Sequence, residues 1–329
     1  MQATSSLYYV TTWLRLACAT LALSGPAGGI AADWQPAERV TFVTHASAGT
    51  GIDVFVRELA EIWRKHQIVR RPVVVENVTG GAGERARQYI VTQHAGNPHV
   101  LFGYTPSQVN TALLMKSQVT VKSYTPIAAL AVEPLALYVN AQSSYQSVAD
   151  LVEAARRKPK GVVQGGGPFG NVPSLMARML ANEAQVEFAY VAFKGGGEGV
   201  IALLGNHVQF IMEQPSEVAA MVQDGKLRPL AGSQKLEMYP DLPTFASLGY
   251  RFKPLVQFRA VVAPPGVPAE TVRFYLQALE RARQTPEWKQ YVKRNELQEV
   301  WLAGADFAAF LDEQEMQYRR LNKEIGLLK

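Results

Sequence analysis

Short apolar runs rich in β-branched residues alternate along this chain with stretches whose apolar residues recur at helical spacing. The first unit opens with Val40–Thr44 (VTFVT). It passes through Ala46-Ser47-Ala48-Gly49-Thr50-Gly51 into Asp53–Gln67, where Val56, Leu59, Ile62 and Trp63 fall on one helical face. Pro72–Glu76 (PVVVE) predicts a second strand, followed by Thr79-Gly80-Gly81-Ala82-Gly83 and a helix through Ile90, and His99–Tyr104 (HVLFGY) predicts a third strand. Strands separated by helices are the signature of an α/β fold whose largely parallel sheets are covered by helices.

Ala128–Asn140 (AALAVEPLALYVN) is longer and more apolar than one short strand requires, and reads as a crossover between two lobes. The pattern then restarts. Ser147-Val148-Ala149-Asp150 is a capping box opening a helix to Arg157, because a serine and an acid three residues on satisfy each other's free N–H groups. Gly161–Gln164, Val186–Phe193, Val208–Glu213 and Leu227–Ala231 predict further strands, with a helix opening across Gly165–Ser174. After a proline-rich return at Tyr239–Thr244, Leu255–Ala263 predicts a strand, and Ala269–Arg283 and Asp306–Ile325 predict helices. The expected organisation is residues 33–134 with 247–329 as lobe 1 and 135–246 as lobe 2.

The start of the chain has a different character. Leu14–Ser24 (LRLACATLALS) is apolar and short, and the small-residue stretch Gly25–Ala32 follows it. This predicts a signal peptide over residues 1–32, cleaved near Ala31 or Ala32, and export to the periplasm. The apolar run is shorter than the ~20 residues a bilayer span needs. Cys18, the sole cysteine, lies inside it, so the mature chain is expected to carry no thiol for a disulfide, a thiolate metal site or a nucleophile. A hydrophobic fraction of 48% with 19% charged residues excludes disorder, and 329 residues suit about two domains. The formal charge of +5 suits an anionic ligand. It is too small to indicate nucleic acid, and the densest basic run, Arg156-Arg157-Lys158 with Lys160, simply ends a helix.

In open α/β sheets, ligands sit at loops beyond the carboxyl ends of strands. Four such loops are glycine-rich: Gly49-Thr50-Gly51, Gly80-Gly81-Ala82-Gly83, Gly165-Gly166-Gly167 and Gly195-Gly196-Gly197. Glycine lets the backbone approach a ligand closely, so that free N–H groups at helix N-termini bind an anion with help from the helix dipole.

The residues also resemble a known family, the substrate-binding receptors of tripartite tricarboxylate transporters, or Bug-type extracytoplasmic solute receptors. The matching stretches are Ala48-Gly49-Thr50-Gly51-Ile52-Asp53 with Arg57, Val73–Asn77 with its glycine loop, Tyr124–Ala128, Phe193-Lys194-Gly195, Gly225–Ala231, Pro240–Thr244 and Ala263–Pro268. Their order and spacing, from about Pro36 to the C-terminus, carry the resemblance. It implies a type II periplasmic-binding-protein fold, with two lobes of helix-flanked mixed sheet joined by crossover strands. The lobes would close like a Venus flytrap on a small organic acid: a mono-, di- or tricarboxylate, or an aromatic acid. It implies solute binding for membrane permease subunits, with no catalysis, cofactor or metal. By the same resemblance one ligand carboxylate would meet Ala48, Gly49, Thr50 and Gly51 together with Gly81, Ala82 and Gly83. The rest would be read by Thr105 and Ser107 after the third strand and by Gly167, Asn171, Phe193 and Glu213 across the cleft.

The chain departs from the family pattern in places. His45 stands where a small apolar residue is common, Thr50 replaces a usual glycine, the second loop has a shifted glycine order, and Gln209 and Glu213 stand where aspartate is frequent. These changes bear on the identity of the ligand. Several residues also have plain structural alternatives: Asp53 as a first-turn acid of its helix, Phe193 as a core cap, His45 and Glu213 as solvated loop residues. An acidic Glu213 beside the cleft would favour a ligand with an amino group or repel a second carboxylate.

A rival class is a nicotinamide-dependent oxidoreductase, since strand, Gly49-Thr50-Gly51, helix, strand and Glu76 mimic a dinucleotide fingerprint. Val54 breaks it, standing where the third glycine permits close helix–strand packing. Hydrolytic and metal motifs are missing, and His45, His66, His94, His99 and His207 have no ligand spacing. A ligand-sensing partner of a signalling system shares every feature of a transport receptor.

Overall fold

The protein is seen in a computed structural model, which describes residues 34–328. The expected signal peptide, residues 1–32, and Cys18 lie outside the described residues. Lobe 1 begins as its pattern predicts, with β1 (Val40–Thr44), α1 (Gly51–Lys65), β2 (Val73–Asn77), α2 (Glu84–Gln88) and β3 (Val100–Tyr104), and then adds a helix the pattern did not predict, α3 (Pro106–Leu114). The long apolar run resolves into two strands, β4 (Thr125–Glu133) and β5 (Ala136–Asn140), one in each sheet.

The middle of the chain supplies α4 (Val148–Arg157), β6 (Val163–Gly166), α5 (Val172–Ala184), β7 (Ala189–Ala192), α6 (Gly196–Leu204), β8 (Phe210–Glu213), α7 (Pro215–Gln223) and β9 (Leu227–Gly232). The chain then returns through β10 (Gln257–Ala263), α8 (Ala269–Arg283), α9 (Pro286–Arg294), β11 (Gln298–Ala303) and α10 (Gly304–Glu324).

Two mixed sheets result, ordered β11-β4-β10-β3-β1-β2 and β7-β6-β8-β5-β9. In the first, β1 runs parallel to β2 and β3, whereas β10 is antiparallel to both β3 and β4. In the second, β6 runs parallel to β7 and β8, and β5 is antiparallel to β8 and β9. This is the two-lobe, helix-flanked mixed-sheet architecture with crossover strands. Strands buried on both faces, such as β3 and β5, read as unbroken apolar runs. At the sheet edge, β2 instead alternates half-buried Val73, Val75 and Asn77 with exposed Val74 and Glu76.

α1 buries Ile52, Phe55, Val56, Leu59, Ile62 and Trp63 on one face. Trp63 Nε1 donates to the Ala278 carbonyl at 3.1 Å, which ties α1 to α8. A single apolar cluster joins Phe102, Tyr104 and Val109 of the first lobe with Leu137, Leu175 and Met212 of the second. Where the two crossovers pass, Leu135 N–H donates to Ser233 Oγ at 3.0 Å and Ser233 N–H to the Leu135 carbonyl at 2.7 Å. Beyond the boundary expected at residue 246, the backbone N–H groups of Arg251 and Phe252 still bind the Glu183 carboxylate of α5.

One glycine run is placed differently from expectation. Gly165 and Gly166 belong to β6 rather than to the following loop, because the second lobe packs there too tightly for side chains: a Cβ on Gly165 would meet Val208, and one on Gly166 the Tyr190 hydroxyl.

Candidate functional site

On the lobe 1 side, the three loops that follow β1, β2 and β3 are tied to one another by side-chain contacts. In the first, between β1 and α1, Asp53 is buried and its carboxylate accepts from Gly49 N–H at 2.8 Å, Arg57 Nε at 2.9 Å and Asn77 Nδ2 at 2.9 Å. Asn77 Nδ2 also reaches Thr44 Oγ1 and the Ala46 carbonyl. Burial alone would raise the Asp53 pKa, but the bonds from Arg57, Gly49 and Asn77 outweigh it and hold the carboxyl below its ordinary range. Asp53 therefore shapes the loop from behind. Ala48 and Gly49 stand exposed at its tip, and the Thr50 hydroxyl turns inward to the Ser47 carbonyl at 2.8 Å. Thr50 is the N-cap of α1 yet its side chain caps nothing, so the helix end keeps backbone donors free.

The second loop has a run of left-handed backbone, with φ of 121° at Gly80, 56° at Gly81, 48° at Ala82 and 87° at Gly83. Such turns aim successive N–H groups into one concavity. Ala82 is the one non-glycine in the run and is held there by two donors to its carbonyl: Arg87 Nη1 at 3.3 Å and Thr111 Oγ1 at 3.0 Å. Arg87 is wholly buried and also bonds Glu84 and Gln108 Oε1. Gln108, 1% exposed, leaves its Nε2 without a partner where a Cβ on Gly83 would collide with it. In the third loop Thr105 and Ser107 share a 2.8 Å hydroxyl contact, and Ser107 Oγ lies 3.3 Å from His45 Nε2. Burial first, then Arg259 and Arg87, lower the His45 pKa to about 3, so the imidazole is neutral. α3 also starts without a side-chain cap.

The lobe 2 wall is built otherwise. Asn171 caps α5, its Oδ1 accepting from Ser174 N–H at 2.9 Å, and its Nδ2 lies beside Gly167. Gly167 is buried, and its carbonyl accepts from Tyr190 Oη at 2.6 Å. Phe193 lays its ring edge against Gly165 and packs with the second lobe's core. Glu213, at the end of β8, is 5% exposed and rests its Oε2 against Gly196, the first residue of α6. Burial, then the neighbouring Glu217, push its carboxyl well above the usual range. The Gln214 amide, turned to donate, lies between Glu213 and Glu217. On α7, desolvation first and then Glu133 raise the Glu217 pKa to about 7, against the pull of Arg259.

Within the lobe 1 sheet, where β4 ends, lies an ion pair that the sequence reading passed over. Arg259 of β10, 3% exposed, makes a two-pronged ion pair with Glu133 of β4, with Nε to Oε1 at 2.7 Å. Its guanidinium lies where a Cβ on Gly51 would stand, with Glu217 Oε1 3.4 Å from that point. The signal was a single charge in each of two apolar strand runs, LAVE and FRAVVA, since a buried charge needs a partner. Of the thirteen expected site residues, Gly51 and Ser107 lie in the first turns of α1 and α3, Glu213 ends β8, and the others lie in the turns and loops between strands and helices. Among them Ala48, Gly49, Gly81 and Ala82 are open to solvent, whereas Gly83, Thr105, Gly167 and Glu213 are buried. Among the described residues no group of His, Cys, Asp or Glu is arranged to hold a metal ion.

Residues 55–327 match the model of the tripartite tricarboxylate transporter family receptor.

The chain belongs to this receptor family.

Relatives of the receptor include the UPF0065 protein in the gbd 5′ region of Cupriavidus necator, 27% identical over 323 residues and covering 95% of both chains. BugT of Bordetella pertussis is 25% identical over 251 residues, covering 75% of this chain and 76% of its own. Among solved structures, the periplasmic binding protein BugD has a TM-score of 0.80 at 22% identity, covering 89% of this chain and 99% of its own. MatC of Rhodopseudomonas palustris, solved with bound malate, has a TM-score of 0.76 at 20% identity, covering 87% and 99%. A further R. palustris protein, solved with adipate, has a TM-score of 0.80 at 21% identity, covering 89% and 99%. The receptor is therefore a solute-binding protein and not an enzyme, and the oxidoreductase alternative falls. No helix among its described residues is long and apolar enough to cross a membrane.

Proposed function

We propose that this receptor works in the periplasm, captures a small organic carboxylate in the inter-lobe cleft and presents it to the permease subunits of a tripartite transporter. The observation that carries this reading is the lobe 1 wall: uncapped N-termini of α1 and α3 flank a run of left-handed backbone at Gly80–Gly83. Backbone N–H groups and helix dipoles of this kind hold a carboxylate without a side-chain cation. That suits a site whose buried guanidinium groups, Arg87 and Arg259, are already paired with Glu84 and Glu133.

Ala48, Gly49, Thr50, Gly51, Gly81, Ala82, Gly83, Thr105 and Ser107 would hold the carboxylate, and Gly167, Asn171, Phe193 and Glu213 the remainder of the ligand. Bound malate in MatC and adipate in its R. palustris neighbour support the ligand class. Closure follows if the ligand contacts both walls only when they approach, since a ligand shifts a conformational equilibrium by its differential affinity.

The test is thermal melting of the purified protein with mono-, di- and tricarboxylates, aromatic acids and NAD. A ligand at about 100 times its dissociation constant adds about 2.7 kcal/mol to the folded state. Stabilisation by an organic acid that is lost in Gly83→Ala supports the reading, and stabilisation by NAD alone overturns it.

A further inference from the structure

Side chains of α3 reach loops of both lobes. Thr111 Oγ1 donates to the Ala82 carbonyl at 3.0 Å and Gln108 lies against Gly83, so this helix braces the second loop of lobe 1. From the same helix Asn110 Nδ2 donates at 2.6 Å to the carbonyl of Gly170, in the lobe 2 loop between β6 and α5. A Cβ on Gly170 would strike Leu114, so the loop is seated on α3 with no room for a side chain. Asn110 is wholly buried, and its Oδ1 accepts from Asn322 Nδ2 of α10 at 2.5 Å. Buried with both ends of its amide engaged, it is closed to a ligand.

The segment that Asn110 holds carries two of the expected lobe 2 contacts, Gly167 and Asn171. Its other fastenings are local. Asn171 N–H donates to the Pro168 carbonyl at 3.2 Å, Gly170 N–H to Ser174 Oγ at 2.9 Å and Ser174 N–H to Asn171 Oδ1 at 2.9 Å. These bonds set the shape of the turn and leave its place against lobe 1 undecided. Val109 and Leu113 of α3 share an apolar cluster with Val172, Leu175 and Met176 of α5. Apolar contact is non-directional and tolerates sliding, whereas a buried donor and acceptor must meet in one register. The Asn110–Gly170 bond supplies that register, and Asn322 turns the Asn110 amide so that its N–H side faces the carbonyl.

Resting on the carboxylate reading above, we infer that Asn110 is a positioning residue for ligand capture: it ties the Gly167–Asn171 loop of lobe 2 to α3 and so fixes where that loop meets the ligand, without touching the ligand itself. Asn110 stands about one helical turn after Ser107, an expected carboxylate contact, so a single helix spaces the two ends of the site. A loop already in place needs no ordering when the ligand arrives.

The experiment pairs amide hydrogen exchange on the whole unliganded protein with calorimetric titration, using whichever of succinate, glutarate, adipate and benzoate raises the parent's melting temperature most. In Asn110→Asp the side chain facing Gly170 can no longer donate. The amides of Gly170, Asn171 and Ser174 should then exchange at least about tenfold faster, while those of the Gly205–His207 turn in the same lobe keep their rates within about twofold. The same variant, titrated where it is folded, should bind the acid at least about tenfold more weakly. A role in stability alone would lower the melting temperature and leave the affinity of the folded protein as it was. Unchanged exchange in the Gly170–Ser174 segment overturns the inference, and so does a loosened loop with unchanged affinity; the carboxylate reading survives either result. A parent that none of the four acids stabilises sinks both. Should Asn110→Asp fail to fold by circular dichroism, Asn110→Ala removes the same bond without burying a charge and must give the same pattern.

Discussion

The two walls of the cleft share a plan, strand then glycine-rich turn then helix, yet differ in what they leave unpaired. On the lobe 1 wall the side chains work from behind: Asp53, Asn77 and Arg87 hold backbone in place, the uncapped end of α1 keeps donors open, and α3, opening on Pro106 with Gln108 N–H bonded to the Thr105 carbonyl, leaves the Ser107 N–H. On the lobe 2 wall Asn171 caps α5, whereas α6 has no side-chain cap and the buried Glu213 carboxyl rests against Gly196 at its start. One wall is braced from behind, and the other sets a buried acid beside a helix end. The lesson is that a shared plan of strand, turn and helix does not make a symmetric site, because single side chains decide what stands at each helix end.

The largest effect should come from breaking the buried ion pair inside the lobe 1 sheet, a feature the lobe 2 wall lacks among the described salt bridges. Arg259→Met leaves Glu133 buried and unpaired near two further acids, and should cost about 3–5 kcal/mol in denaturant or thermal unfolding. The double variant with Glu133→Gln should regain most of the loss. An unchanged melting temperature in the single variant would show that the pair contributes nothing to the stability of the lobe 1 sheet.

Adding a methyl group to each wall sharpens the contrast. Gly83→Ala forces a left-handed φ of 87° and pushes on the Gln108 amide, so it should destabilise by about 1–3 kcal/mol and abolish ligand binding. Gly196→Ala has no such backbone constraint and presses only on the Glu213 carboxyl. It should spare more of the stability while altering which ligands bind. Equal losses of stability in the two variants would erase the distinction between walls.

His45 gives a pH test on the lobe 1 wall. Its pKa is lowered to about 3, below the ordinary 6.5, so the unfolded chain takes up a proton that the folded chain refuses. Its contribution is complete above pH 6.5 and is lost as pH falls from there towards 3, on the order of 1 kcal/mol per pH unit at most. Melting temperatures of the parent minus those of His45→Asn should therefore decline on acidification. Glu217, raised to about 7 from 4.5, works the other way on the opposite wall: its contribution is full below pH 4.5 and is lost as pH rises to about 7. A difference curve for His45→Asn that rises with acid would refute the neutral imidazole.

The smallest effects concern capping. Asn171→Ala should cost about 1 kcal/mol, because its Oδ1 caps α5. Thr50→Val should cost about 0.5 kcal/mol or less, because its hydroxyl serves only the Ser47 carbonyl and caps no helix. Chemical denaturation resolves the two.

Much of the frame was legible in the sequence. β1 and α8 lie where their patterns placed them, and the Ser147 capping box forms with Asp150 N–H donating to Ser147 Oγ at 3.2 Å. Periodicity and local caps are properties of neighbouring residues, so a linear reading finds them. α3, α7 and α9 went unread although each begins with proline in its first turn, at Pro106, Pro215 and Pro286, a start signal that short helices of weak periodicity leave unsupported. The glycine turns were found as motifs. What they face was not, since Gly51 against Arg259, Gly196 against Glu213 and Gly83 against Gln108 are meetings of residues far apart in the chain. The ion pair of Arg259 with Glu133 spans 126 positions and leaves no local trace beyond a charge in an apolar run.

The position of β10 has a consequence in time rather than in space. It lies between β3 and β4 and is antiparallel to both, so β1, β2 and β3 can pair with one another early while the facing edges of β3 and β4 wait for residues 257–263. The second sheet, contained within 136–232, has all its strands before then. Closing the first sheet is thereby made a long-range pairing by its own topology, of the kind expected to form late in folding.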